Sequence, residues 1–204
     1  MSWILNQVNK QIAINPRQTA LVIQDVSWTY DHLWNRASTI CSLIKENNSP
    51  SNAIGIYTDN TADMYAAILG VWMSGKAFIP LNHKFPHERL LKIARESDLM
   101  AVMCESKSTD QLQFLNDQWP ILNYPKESVS NEIQLEEITE SLQAYTLFTS
   151  GSTGVPKGIP IQHGHLRALM EDLIQRYPLG EMDKVLQSFE LSFDVSIACI
   201  LIAW

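Results

Sequence analysis

Apolar residues return along this chain in two rhythms. Short runs such as Ala53 to Thr58, Ala77 to Leu81 and Leu99 to Cys104 are almost continuously apolar over five or six residues, as buried strands are. Between them lie longer stretches whose apolar positions recur every three or four residues, as on one side of a helix. Ala20 to Val26 and Ser27 to Tyr30 predict a strand pair turning near Asp25, and Asp31 to Lys45 predicts a helix with Leu33, Ala37, Ile40 and Ile44 on one side. Thr61, with acidic Asp63 two places on, predicts the start of a helix running to Trp72. Pro86 suits the first turn of a helix from about His87 to Ser97. Strand and helix alternate three times in succession, which predicts an α/β fold: a mostly parallel sheet with helices on both faces.

Two stretches break the alternation. From Tyr124 to Leu142 the chain is polar and acidic, with Glu127, Glu132, Glu136, Glu137 and Glu140 and no clear period, and reads as a surface connection. Ile197 to Trp204 is an unbroken apolar run, which predicts a buried element covered by later sequence. Residues are not shared between any internal repeats, and no tract is of low complexity.

The 204 residues, 46% of them hydrophobic, suffice for one large domain or two small ones with a buried core. A formal net charge of -7 without a basic stripe argues against nucleic acid or a membrane surface as partner, so an anionic ligand would need a local site. Cys41, Cys104 and Cys199 lie far apart without CxxC spacing; they suit neither a zinc ribbon nor a disulfide framework and fit a reducing cytoplasm. Polar residues interrupt the first fifteen positions, leaving no apolar run there long enough for a signal peptide, and nowhere do about 20 apolar residues run together as a membrane span requires. His83 and His87 share an i, i+4 interval, but Pro86 breaks the helix that a metal-binding pair would need. His163 and His165 could share one face of a strand, with no carboxylate or cysteine beside them to complete a metal site.

The densest chemistry follows a predicted strand, Ala144 to Phe148. Thr149-Ser150-Gly151-Ser152-Thr153-Gly154-Val155-Pro156-Lys157-Gly158 packs four hydroxyls, three glycines and one lysine into ten residues. Glycines let successive backbone N–H groups converge, hydroxyls add donors and the lysine adds charge, a combination suited to a polyphosphate. The nucleotide loop G-x-x-x-x-G-K-[ST] is excluded, because Val155 and Pro156 separate Gly154 from Lys157.

The segment LFTSGSTGVPK, Leu147 to Lys157, resembles the phosphate-binding signature of the adenylate-forming superfamily, roughly [YL]-T-S-G-[ST]-T-G-x-P-K-G. Three other segments resemble its amino-acid-activating members. Trp28 to Ala37 is similar to T-Y-x-E-L-N-x-R-A, with Asp31 and His32 as departures. Trp72 to Leu90 is similar to K-A-G-x-A-Y-V-P-[IL]-D…Y-P-x-E-R-[IL], with Lys76 for a usual glycine and Asn82 and His83 for the usual Asp-Pro. Val185 to Ser196 is similar to the substrate-side motif ending in F-D-x-S, whose aspartate pairs with the substrate α-ammonium.

This resemblance implies the N-terminal part of the large domain of an adenylate-forming enzyme, of the kind found in nonribosomal peptide synthetases and D-alanine:carrier-protein ligases. It implies that Thr149, Ser150, Gly151, Ser152, Thr153, Gly154, Lys157 and Gly158 contact the phosphates of Mg2+-bound ATP, with Thr153 and Lys157 catalytic. Asp194 would anchor the amine, a role a buried carboxylate needs a cation to fill, with Phe193, Val195 and Ala198 around it. Asp194 could also cap the terminal helix, a second role that does not exclude the first. The implied reaction joins a carboxylic acid, an amino acid foremost, to AMP with release of pyrophosphate, before transfer to a thiol such as a phosphopantetheine-bearing carrier protein. A ribose-binding aspartate, a hinge and a C-terminal domain with a catalytic lysine belong to that pattern and are not found in these residues, so the fragment alone is expected to be inactive. A fatty-acyl or aryl ligase needing no ammonium anchor, and a non-catalytic nucleotide-binding module, are the other readings.

Overall fold

The computed structural model describes residues 2–23, 25–47, 49–58, 60–127, 135–150 and 156–204. Helix α1 (Trp3–Ile14) is capped by Ser2, whose hydroxyl accepts from Leu5 N–H at 3.2 Å. Strands β1 (Thr19–Ile23) and β2 (Val26–Thr29) pair antiparallel, and Asp25 sits beside their turn at φ 67°, a left-handed conformation that aspartate tolerates. Helix α2 (Tyr30–Glu46) follows, capped by Thr29, and buries Leu33, Ala37, Ile40 and Ile44 as their spacing predicts.

The main sheet begins with β3 (Ala53–Thr58), α3 (Ala62–Met73), β4 (Ala77–Asn82), α4 (His87–Arg95) and β5 (Leu99–Cys104). Thr61 caps α3 as expected, and Pro86 stands one place before α4, at its N-cap rather than in its first turn. A 3-10 turn (Ser106–Leu112) leads through α5 (Gln113–Asn116) to β6 (Ile121–Asn123). After the connection come β7 (Gln143–Ser150), β8 (Pro156–Gln162), α6 (His163–Arg176) and α7 (Asp194–Ala203). The sheet order is β6-β5-β3-β4-β7-β8, parallel throughout except for the antiparallel pair β7-β8.

Both faces are covered. Ile54, Ile56 and Phe78 face α1, α2, α3, α6 and α7, while Tyr57, Ile79, Leu81 and Val102 face α4 and α5. From β3 the chain steps to β4 on one side and returns past β3 to β5, and right-handed crossovers put the helices of opposite steps on opposite faces. The carboxyl ends of β3 and β4 therefore flank the reversal point, where sheets of this kind leave a crevice. Helices α2 and α3 approach so closely that a Cβ at Gly70 would lie 2.7 Å from the Ala37 carbonyl.

The connection before β7 is more than a surface loop. In its described part Tyr124 and Ile138 are buried, Leu135 packs on the core, and Glu136 N–H bonds the Met73 carbonyl at 3.4 Å. Its few apolar residues are too sparse to show a period, yet each finds the gap beside α3. Gly75, at φ 72°, ends α3, with its N–H on Trp72 O at 2.9 Å and Lys76 N–H on Val71 O at 3.2 Å. The apolar run at the end of the chain is α7, with Ile197, Ile200, Leu201 and Trp204 buried.

Candidate active site

Strand β7 is fixed from behind. The Trp72 indole N–H donates to the Ala144 carbonyl at 2.9 Å, and the Tyr145 ring stacks on Phe78 with centroids 5.4 Å apart. The antiparallel register with β8 then sets Thr149 opposite Lys157 and Ser150 opposite Pro156. Lys157 is exposed, and the Thr149 hydroxyl donates to its carbonyl at 3.5 Å. Gly158 is closely packed: a Cβ there would stand 3.0 Å from both the Phe148 ring and the Thr146 methyl. The expectations for Gly151, Ser152, Thr153 and Gly154 fall outside the described residues.

Beside this hairpin lies a cleft of about 340 Å³, lined by Tyr145 and Ile161 of the two strands, by His165, Leu166, Leu169 and Leu173 of α6, and by Asp194, Val195 and Ala198 of α7. The F-D-x-S residues build the start of α7. Ser196, fully buried, donates from its hydroxyl to the Phe193 carbonyl at 2.6 Å, which closes the first turn. Asp194 Oδ1 accepts from Val195 N–H at 2.8 Å. Burial, and secondarily the Asp194 carboxylate, pushes the Tyr145 hydroxyl up to about 12, so it stays protonated.

At the carboxyl end of β4, Asn82 is 1% exposed. Its amide donates to Glu190 Oε2 and to the Ser192 hydroxyl, and its carbonyl oxygen accepts from Lys84 N–H at 2.9 Å. Lys84 Nζ meets Glu190 Oε1 at 2.7 Å, and that bond, aided by Asn82, holds the Glu190 carboxyl below its usual range.

The AMP-binding enzyme family matches residues 8–204. The chain belongs to the AMP-binding enzyme family. A linear gramicidin synthase from Brevibacillus parabrevis is 33% identical over 202 residues, which are 95% of this chain and 2% of that protein. The nonribosomal peptide synthetase FmoA3 in its α-methyl-L-serine-AMP-bound form superposes on 98% of this chain and 22% of its own, with a TM-score of 0.88 at 21% identity. A four-domain nonribosomal peptide synthetase bound to AMP and glycine, 25% identical, gives a TM-score of 0.85 over 98% of this chain and 15% of its own. The chain thus spans a small part of each relative.

The residues expected to surround a substrate, Asp194, Val195 and Ala198, share one cleft, whereas Phe193 is 59% exposed and outside the lining. Two expectations about Asp194 change. It is exposed rather than buried, because it sits at the rim, and it is not the cap, since Phe193 holds the N-cap and Asp194 the first turn. The histidines are also corrected: His163 and His165 do not share a strand face but occupy the first turn of α6, because β8 stops at Gln162. Gln162 N–H donates to His165 Nδ1 at 3.3 Å, and buried His163 lies edge-on to Trp72 with centroids 5.5 Å apart. His83 bonds the Thr58 carbonyl and His87 stacks on Phe114, so each has a partner of its own. Sequence reasoning misses Tyr145 and the α6 residues; the spacing of Leu166, Leu169 and Leu173 is the signal that could have found the helix. Among the described residues no His, Cys, Asp or Glu cluster could hold a metal, and no helix is long and apolar enough to cross a membrane.

Proposed function

We propose that this chain forms the N-terminal part of the large domain of an enzyme that activates an amino acid as its acyl-adenylate. The position of Asp194 carries the reading. Its carboxylate stands at the rim of a mostly apolar cleft whose other polar lining residues are Tyr145 and His165, beside the strand that leads into the Thr149–Lys157 hairpin. Oδ1 is taken by Val195 N–H, and among the described residues Oδ2 meets no partner, which leaves it for an α-ammonium. The apolar walls of Ile161, Leu166 and Val195 suit a side chain without charge.

A substrate carboxylate oxygen attacks the α-phosphorus of ATP; the bond from that phosphorus to the oxygen bridging the β-phosphorus breaks, and pyrophosphate leaves with the electron pair. Mg2+ enters with ATP as part of the substrate. The exposed Lys157 cation neutralises charge on the leaving pyrophosphate, and the hydroxyls and N–H groups of Thr149 to Thr153 bind its oxygens, with Thr153 and Lys157 contributing most in the transition state. Gly158 leaves room for Phe148 and Thr146 to pack against this hairpin. Thiol acceptance, by a phosphopantetheine-bearing carrier protein, and the C-terminal catalytic lysine belong to further sequence of the whole enzyme. The three cysteines, two of them buried, form no disulfide and suit a cytoplasmic setting.

Pyrophosphate exchange into ATP by the full-length protein, tested against pools of amino acids and of fatty or aryl acids, decides the reading. Exchange with one amino acid supports it; exchange only with acids lacking an amine replaces it with an acyl ligase. No exchange in any pool, with ATP still bound, replaces it with a nucleotide-binding module.

A further inference from the structure

We propose that Asn82 and Glu190 form a matched amide–carboxylate pair that positions the substrate-facing start of α7 against the carboxyl end of β4. The inference rests on the amino-acid-activating reading above. Asn82 ends β4 and is buried, so its amide must find partners or lose stability. It spends its acceptor on its own loop, at Lys84 N–H, and its donors on the segment before α7, at Glu190 and the Ser192 hydroxyl. Glu190 in turn accepts from Lys84 Nζ with its other oxygen. The placement passes along the backbone: Phe193 N–H bonds the Glu190 carbonyl at 2.9 Å, and Ser196 N–H bonds the Phe193 carbonyl at 3.0 Å, with Asp194 held between.

The pair works only if the two side chains differ. An aspartate at position 82 would offer Glu190 no donor and set two carboxylates face to face, whereas changing Glu190 to an amide as well would restore one donor against one acceptor. Neither residue lines the cleft, so both act through Asp194 and its turn.

The test compares Asn82→Asp, Glu190→Gln and the double variant in the full-length protein by pyrophosphate exchange. Asn82→Asp should raise KM for the acid roughly tenfold while moving KM for ATP less than about twofold, and the double variant should return the acid KM to within about threefold of the parent. Equal effects on both KM values, or no recovery in the double variant, would overturn the proposal. Hydrogen exchange of backbone amides 193–196 in the substrate-free protein gives a separate readout: faster in Asn82→Asp and restored in the double variant if the pair positions the turn, unchanged if it does not. Should Asn82→Asp fail to fold, Glu190→Ala at its partly exposed site must produce the same KM split or the proposal falls. Absence of exchange with any acid in the parent protein would sink the adenylation reading instead, and the amide-exchange result would decide the pairing by itself.

Discussion

Thr149 and Lys157 meet across one antiparallel pair only eight residues apart, whereas Asp194 reaches its cleft through the packing of four separate elements, β7, β8, α6 and α7. At the hairpin, a polyanion requires donors and a cation along a short stretch of chain, and the fold need only hold the two strand ends in register. At the cleft, one carboxylate acquires meaning from apolar walls contributed by distant sequence. The first site is set by composition, the second by the core.

Four measurements sharpen or break that contrast. Lys157→Ala should have the largest effect, lowering kcat/KM for exchange roughly 10²- to 10³-fold without selectivity between acids, since it removes charge at the leaving group. A loss confined to the acid KM would contradict a hairpin that serves ATP alone. Next comes acid: burial holds His163 near 4, below its ordinary 6.5, so the folded chain takes up fewer protons than the unfolded one. Stability is full above pH 6.5 and drains as pH falls towards 4, by about 3 kcal/mol. Urea unfolding across that window should show the loss, and His163→Gln should flatten this part of it; an unchanged slope would refute the assignment. Asp194→Asn should cost about 2 kcal/mol, read as a KM for the amino acid some thirtyfold higher with KM for ATP unmoved. Smallest is Trp72→Phe, which strips the Ala144 carbonyl of its donor and should cost about 1–2 kcal/mol in unfolding experiments.

Much of the architecture is readable because periodicity follows burial. The strands Ala53 to Thr58 and Leu99 to Cys104 are buried along their whole length and contain no competing signal, so their limits agree with the structure. Strand β8, reading PKGIPIQ, escapes notice: two prolines and a glycine conceal a strand that exists because β7 lies beside it. Helix α6 escapes for a related reason, as its entry is marked by Gln162 and His165 instead of a serine, threonine or aspartate. The hydroxyl-glycine-lysine cluster announces itself in the sequence. Tyr145 does not, because its place opposite Asp194 depends on a sheet register that no local pattern carries. Asn82 shows in the sequence only as a departure from a pattern, and its partner Glu190 lies 108 residues away.

The β7-β8 register has an entropic consequence for binding. Because Ser150 and Pro156 are paired within the same sheet that holds the core, the separation between Thr149 and Lys157 is decided when the chain folds. A ligand bridging them does not have to gather two independent chain ends, and the ordering cost that would otherwise weaken its affinity has been met in advance by burial of Phe78, Trp72 and Tyr145.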